Sequence, residues 1–190
     1  MFRRSPSLLA ILALGCVIVL NAAPQGTPAA APQAKPPASP PAEATVTIAG
    51  KTITIKYSAP SVRGRQIWGE GGLISKDRTW PVWRAGANAA TSLHTDADLQ
   101  FKGLAVPKGD YTLFAAVTED PWQLIVNKQT GQWGLAYAKE QDLGRVPMDM
   151  SKPPAPIEVF KITLTATGPA SGKLELAWEN KVASVPFTVK

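Results

Sequence analysis

Alternation of apolar and polar residues constrains the fold of this 190-residue chain more than any other feature. From Thr45 onward, short segments place apolar side chains at every second position and polar side chains between them. The segments that show this are "TITIKY" (52–57), "EVFKITLTA" (158–166), "KLELAWE" (173–179) and "VPFTV" (185–189). A period of two is typical of half-buried strands in an antiparallel sheet.

Helical periodicity is weak throughout the chain, and its best candidate is "GLAYAKEQDL" at residues 134–143. Gly-, Pro- and Asn-containing turn segments separate the alternating runs. We therefore predict an all-β fold, an antiparallel β-sandwich of about 8–10 strands with a jelly-roll or Greek-key-like path. One long loop region, from Ser58 to Thr91, interrupts the alternation with glycines, arginines and tryptophans. A loop of that length is usually functional or packs as its own structure.

Residues 1–23 have the features of a signal peptide. A basic start, "MFRRSPS", precedes the apolar run "LLAILALGCVIVL" (8–20) and the small residues Ala22 and Ala23, after which a peptidase would cut. The apolar run is shorter than the roughly 20 residues that a membrane-spanning helix needs. We expect a periplasmic or extracellular protein with no membrane span after cleavage. An uncleaved anchor and a lipid anchor at Cys16 remain alternatives.

Residues 24–44 are almost entirely proline, alanine and small polar residues. Such a composition cannot bury enough apolar surface to order itself. We predict a disordered linker there, followed by one β-sandwich domain over residues 45–190. Cys16 is the only cysteine, so a cleaved chain has no disulfide and depends on its core for stability.

The charge and glycine patterns of the chain limit the classes of partner and cofactor that we expect. Lys and Arg number 20 against 14 acids, a formal net charge of +6, but the basic residues are scattered rather than gathered into a stripe. Nucleic-acid binding usually needs a concentrated basic surface, so we expect no nucleic-acid partner. The segment "WGEGGL" lacks the Lys-Ser/Thr pair of a phosphate-binding loop, and we expect no cofactor.

Several long motifs in the domain resemble a family of exported bacterial proteins, Domain of Unknown Function 2911. The motifs are "YSAPSVRGRQIWG", "VWRAGANAAT", "GDYTLF", "WQLIVNKQTGQWG" and "LAWENKVASVPF". The resemblance implies an exported β-rich domain and assigns no activity to it. The family motif often has an acid after the asparagine, whereas this chain has Ala89, so any role of such an acid is absent here.

The segment "SLHTDAD" would place His94, Asp96 and Asp98 on one face of a strand. One imidazole and two carboxylates can bind a divalent metal, but zinc sites normally use three or four protein ligands and no second histidine exists. We therefore interpret the segment as a polar turn with an exposed histidine, and we expect no metal site. A ligand-binding role for His94 stays open.

An uncharacterised hydrolase is the alternative function. A Ser-His-Asp mechanism would have to use His94 as its base, with Ser92 or Ser75 as the serine nearest in sequence, and no "GxSxG" motif is present. A pair of loop carboxylates could instead hydrolyse a glycosidic bond. The candidates for that pair are Glu70, Asp77, Glu140 and Asp142.

We prefer a non-catalytic function, the binding of a small molecule, glycan or protein at a Trp/Arg-rich loop face. Flat aromatic rings stack on a ligand while neighbouring polar groups orient it. The candidate ligand-binding residues are Arg65, Trp68, Trp83, Arg84, Asn88 and His94.

A structural role competes with binding in the stretch that contains Trp83, Arg84 and Asn88. Arg84 offers five donors and Asn88 both donors and acceptors, so the pair can tie the long loop to the sandwich. In this interpretation, which we favour, Trp83 packs inward and Arg84 bonds to the loop that carries Arg65.

Overall fold

The computed structural model describes residues 37–117 and 120–190. The predicted signal peptide (1–23), Cys16 and the predicted linker up to residue 36 lie outside the described residues. No helix in the described ranges is long and apolar enough to cross a membrane.

Thirteen strands form in the described residues, together with two short 3₁₀ turns at Ile74–Lys76 and Lys139–Gln141. Nine strands have five or more residues, which agrees with the predicted number, and four further strands have two or three. In chain order they are β1 (Pro41–Ile48), β2 (Lys51–Ser58), β3 (Val82–Trp83), β4 (Thr91–Thr95), β5 (Leu99–Phe101), β6 (Leu104–Val106), β7 (Gly109–Ala116), β8 (Gln123–Asn127), β9 (Asp142–Pro147), β10 (Asp149–Ser151), β11 (Ile157–Gly168), β12 (Ser171–Glu179) and β13 (Lys181–Val189).

Two antiparallel sheets confirm the predicted β-sandwich. The first sheet has the order β1-β2-β4-β7-β8-β9, with β3 also paired to β7, and the second has the order β11-β12-β13-β5-β6, with β10 paired to β13. The chain crosses between the sheets after β4, β6 and β9. The last crossing takes place at Met148, which is fully buried and separates β9 from β10.

The first strand begins earlier than the predicted domain boundary. Pro41 to Ala44 belong to β1 and pair with residues 55–58 of β2, although their composition matches the linker. The hairpin turn at Ala49 and Gly50 explains the register, because both residues have positive φ (51° and 73°). Two positive φ angles make a two-residue turn that matches the twist of the strands, and this turn places Ile48 opposite Lys51.

The alternating residues form the core, as their period predicted. Ile53, Ile55 and Tyr57 of β2 are buried, and so are the apolar faces of β12 and β13. Aromatic rings fill one end of the space between the sheets: Tyr57, Trp68, Trp83, Trp122, Phe160 and Trp178.

The segment 134–143, our best helical candidate, forms no α-helix. It is a loop that contains the second 3₁₀ turn and leads into β9. Tyr137 from this loop packs its ring against Phe114, 5.0 Å between centroids, on the face of β7 opposite the main core. The loop thus covers part of the outer face of the first sheet, and this packing outweighs its weak helical pattern.

Candidate functional site

His94 lies on β4 with its side chain half exposed and both ring nitrogens hydrogen-bonded to carboxylates. Nδ1 is 2.8 Å from Oδ1 of Asp110, the second residue of β7, and Nε2 is 3.2 Å from Oδ1 of Asp96. The other oxygen of Asp96 accepts a hydrogen bond from the Thr52 backbone N–H. His94 therefore joins β4 to β7 and to the polar turn that follows β4.

Both hydrogen bonds form together only when the imidazole is protonated, since a neutral ring carries one N–H. The hydrogen bond to Asp110, with a smaller contribution from Asp96, raises the pKa of His94 above its usual value. The pKa of Asp96 is lowered, first by the hydrogen bond from His94 and then by that from Thr52. The local electrostatics thus favour a charged imidazolium between two carboxylates.

Around His94, the described residues give hydrogen bonds to Asp110 and Asp96 and none to Ser92 or Ser75. Ser92 contacts the Lys56 carbonyl rather than His94, and Asp98 accepts a hydrogen bond from the Lys108 backbone. Within residues 37–117 and 120–190, no group of three or more acidic, histidine or cysteine side chains is placed to bind one metal ion.

Trp83 is a core residue, which corrects its candidacy as a ligand contact. Only 1% of its surface is exposed, and its indole N–H donates to the Gly86 carbonyl at 3.0 Å. Its ring stacks on Trp178 with centroids 5.8 Å apart and meets the Phe160 ring edge-on. The inward position of Trp83 agrees with our structural interpretation of this stretch.

Arg84 makes a mostly buried ion pair, which also removes it from the ligand-binding candidates. Its Nη2 donates to Oδ2 of Asp77 at 2.7 Å, and the two side chains are 13% and 22% exposed. The arginine stem packs on Gly134, where a Cβ would lie 2.1 Å from Arg84 Cδ. The partner, Asp77, follows the first 3₁₀ turn and belongs to the long loop that carries Arg65, as we expected.

Arg65 and Asn88 also make internal contacts. The Arg65 guanidinium donates to the carbonyls of Ser61 and Val62, within its own loop segment. Asn88 has a left-handed backbone with φ of 59°, and its carbonyl accepts a hydrogen bond from Gly134 N–H at 3.1 Å. Its side chain makes one long contact, 3.5 Å to the Ser39 carbonyl. The six candidates therefore do not form one binding face.

A different surface of the long loop is concave, and we call it the Trp80 groove. It has a volume of about 560 Å³. Its lining residues are Gly69, Glu70, Gly71, Ser75, Lys76, Trp80 and Val117. Trp80 is 38% exposed, a large fraction for a tryptophan, and its ring is open to a ligand.

Gln66 shapes one wall of the groove. Its side-chain amide donates to the carbonyls of Trp68 and Glu70, both at 3.1 Å, and so fixes the loop between them. The loop turns through Gly69 and Gly71, whose φ angles of 80° and 73° suit glycine. At Gly72 a Cβ would lie 2.6 Å from the Ile67 carbonyl oxygen, so the close turn excludes any larger residue.

Two further cavities continue the Trp80 groove across the end of the sandwich. One of about 200 Å³ shares Gly69, Trp80 and Val117 with it and adds Trp68, Trp122, Asp120 and Lys181. The next, of about 560 Å³, shares Trp68, Gly69, Asp120 and Lys181 and adds Met150, Ser151, Lys152 and Asn180. We call the three cavities together the end groove. Of the six predicted ligand-binding residues, Trp68 alone lines it.

Trp80 is not among the six ligand-binding residues predicted from the sequence. Of the four loop carboxylates, Glu70 alone lines the end groove. Asp77 pairs with Arg84, Asp142 accepts hydrogen bonds from Tyr137 and Arg145, and Glu140 lies in the second 3₁₀ turn. Asp77 and Asp142 are thus each bonded to an arginine of the domain.

Comparison with known proteins identifies the family. No curated protein and no solved structure matches the chain. One family model, that of a protein of unknown function (DUF2911), matches residues 39–187, which include every strand except the last two residues of β13. The chain belongs to the DUF2911 family, as its motifs indicated.

Proposed function

We propose that this protein is an exported binding protein that holds a glycan in the Trp80 groove. The observation that carries the proposal is the exposed Trp80 ring, which lies in a concave surface with backbone and polar side chains around it. Export is supported by the basic, apolar and small-residue order of residues 1–23.

Sugar rings present both apolar C–H faces and hydroxyl groups. An exposed tryptophan offers a flat apolar surface for stacking, and nearby polar groups orient the ligand. The groove supplies these groups with Glu70, Ser75 and Lys76, and glycines at 69 and 71 leave the backbone accessible. The hydrogen bonds from Gln66 hold the wall in place before a ligand arrives, which lowers the entropic cost of binding.

Trp133 provides a matched control for Trp80. It is more exposed, at 56%, but it lines none of the three cavities of the end groove. Trp133 forms an isolated antiparallel bridge with Ala89. Loss of this ring removes a similar aromatic area without touching the groove.

The experiment is a glycan array probed with the parent chain, Trp80→Ala and Trp133→Ala, followed by calorimetry on the glycans retained. We expect Trp80→Ala to lose at least about tenfold in affinity, the size of one stacking contact, while Trp133→Ala binds like the parent. Equal binding by all three proteins, or no glycan bound by the parent, would reject the proposal.

A further inference from the structure

We propose that the glycan held in the end groove is anionic, with its acidic groups bound by Lys152 and Lys181. This inference rests on the proposed function and specifies its ligand class. It is carried by the lysines along the groove and by the cavity that two of them, Lys152 and Lys181, line together.

Three lysines line the end groove: Lys76 beside Trp80, Lys181 in the two adjoining cavities and Lys152 at the far end. None of them forms an ion pair with a carboxylate of the described residues, whereas Lys102 and Lys173 each lie within 3.0 Å of one. Glu70 and Asp120 also line the groove, so the described lining is more basic than acidic.

Lys152 and Lys181 line the same cavity at the far end of the groove. Strand β10 pairs with β13 through Asp149 with Ser184, Met150 with Ala183 and Ser151 with Val182. Lys152 follows the last residue of β10 and Lys181 precedes Val182 in β13, so both lysines come directly after the last pair of this ladder. Like charges close together repel each other. An anion bound between the two ammonium groups would offset this repulsion.

The backbone fixes Lys181 more firmly than a surface lysine. It is the first residue of β13, it pairs with Trp178 across the β12–β13 turn, and its side chain is half-buried. Trp178 belongs to the aromatic cluster, where Trp68 meets it edge-on at 5.7 Å. The side chain of Lys181 therefore starts from a paired strand next to the aromatic cluster.

The positions of the anchors suit a chain of sugars rather than a single ring. Trp80 lines the first two cavities and Lys152 only the third, so these two anchors share no cavity. One sugar stacked on Trp80 would leave Lys152 to a neighbouring sugar. An acidic oligosaccharide satisfies both anchors at once.

The test compares oligogalacturonate with its methyl ester, which has the same rings without the charge. Calorimetry at low and high salt would be run on the parent chain, the double variant Lys152→Gln/Lys181→Gln, and the control Lys161→Gln. Lys161 is an exposed lysine on β11 outside the three cavities. A sulfated oligosaccharide of equal length is the second acidic probe.

We expect the parent to bind an acidic probe at least about tenfold more tightly than the ester, because hydrogen bonds to charged groups are the stronger ones. The double variant should lose this preference, the control should keep it, and salt should weaken it. Equal affinity for acid and ester, or an unchanged preference in the double variant, would overturn the inference.

The variants also separate this inference from the proposed function. If Trp80→Ala abolishes binding of both acid and ester while the lysine variant binds like the parent, the glycan groove stands and the anionic ligand is wrong. If the lysine variant alone loses acidic binding and Trp80→Ala does not, the anion site stands and stacking on Trp80 is wrong. A parent chain that binds neither acidic probe nor ester rejects the anionic glycan.

Discussion

Trp80 and Trp83 are three residues apart in one loop and occupy opposite environments. Trp83 is 1% exposed within a cluster of aromatic rings, and Trp80 is 38% exposed in a groove. Val82 and Trp83 form the short strand β3, which pairs with β7 and turns the Trp83 ring inward. The long loop therefore has a packed side and an open side, and tryptophan content alone does not distinguish the two.

The largest expected effect is the difference in stability between a variant that loses the Trp83 ring and one that loses the Trp80 ring. Trp83→Ala removes a fully buried ring and should lower the free energy of unfolding by about 3–5 kcal/mol. Trp80→Ala should change it by less than about 0.5 kcal/mol, as for most surface substitutions. Urea unfolding of both variants beside the parent measures this, and similar losses for the two would contradict the assignment of a packed and an open side.

The ion pair of Arg84 and Asp77 is the polar part of the packed side. Arg84→Ala leaves the Asp77 carboxylate without its partner and should cost about 1–3 kcal/mol. Arg65→Ala is the matched control, since it removes an exposed arginine bonded only to its own segment, and it should cost less. Parental stability in Arg84→Ala, measured by the same urea method, would show that the pair does not hold the loop.

The effect of Asn88 on stability should come from its backbone conformation rather than from its side chain. Its φ of 59° disfavours residues with a Cβ and no local polar group. We expect Asn88→Ala to cost about 1 kcal/mol and Asn88→Gly less than that. If Gly and Ala were equally destabilising in urea unfolding, the contact from its side chain to Ser39 would matter more than its backbone.

The smallest effect should be the pH dependence that His94 contributes. Because its pKa is raised in the folded state, its stabilising effect is complete below its unfolded pKa and disappears as pH rises through the folded pKa. Asp96 has a lowered pKa, so its effect is present above its unfolded pKa and is lost as pH falls through the folded one.

The contacts of His94 should therefore stabilise the folded state most in mildly acidic solution, where His94 and Asp96 are both charged. Solvent exposure keeps this effect small. Unfolding of His94→Gln and of the parent at several pH values gives the measurement. A stability difference that stays constant from mildly acidic to alkaline pH would contradict the charged form of the ring.

The predicted and unpredicted parts of the structure differ in how far apart the interacting residues are in sequence. The alternation in the sequence predicted that one face of a strand carries Ile53, Ile55 and Tyr57, because strand geometry repeats every two residues. In the loop no such period exists, and the contact between Arg84 and Asp77 depends on how the first 3₁₀ turn folds back. The sequence offered both residues as candidates but not as partners.

The end groove was the hardest feature to predict because four distant segments form it. Lys152 and Lys181 line one cavity because β10 pairs with β13, which follows a crossing between sheets at Met148. Trp80 reaches the same surface from the first half of the domain. Alternation fixes which face a residue takes within its strand, but it does not specify which strands become neighbours.

Nuclear magnetic resonance of the tryptophan indole N–H groups tests the central claim most directly. The parent chain would be titrated with oligogalacturonate, and the indole signals assigned with Trp80→Phe and Trp133→Phe variants. We predict a saturable shift of the Trp80 signal, with the Trp133 signal unchanged. A shift of Trp133 with Trp80 unchanged, or no shift of any indole, would contradict a glycan site on the open side of the loop.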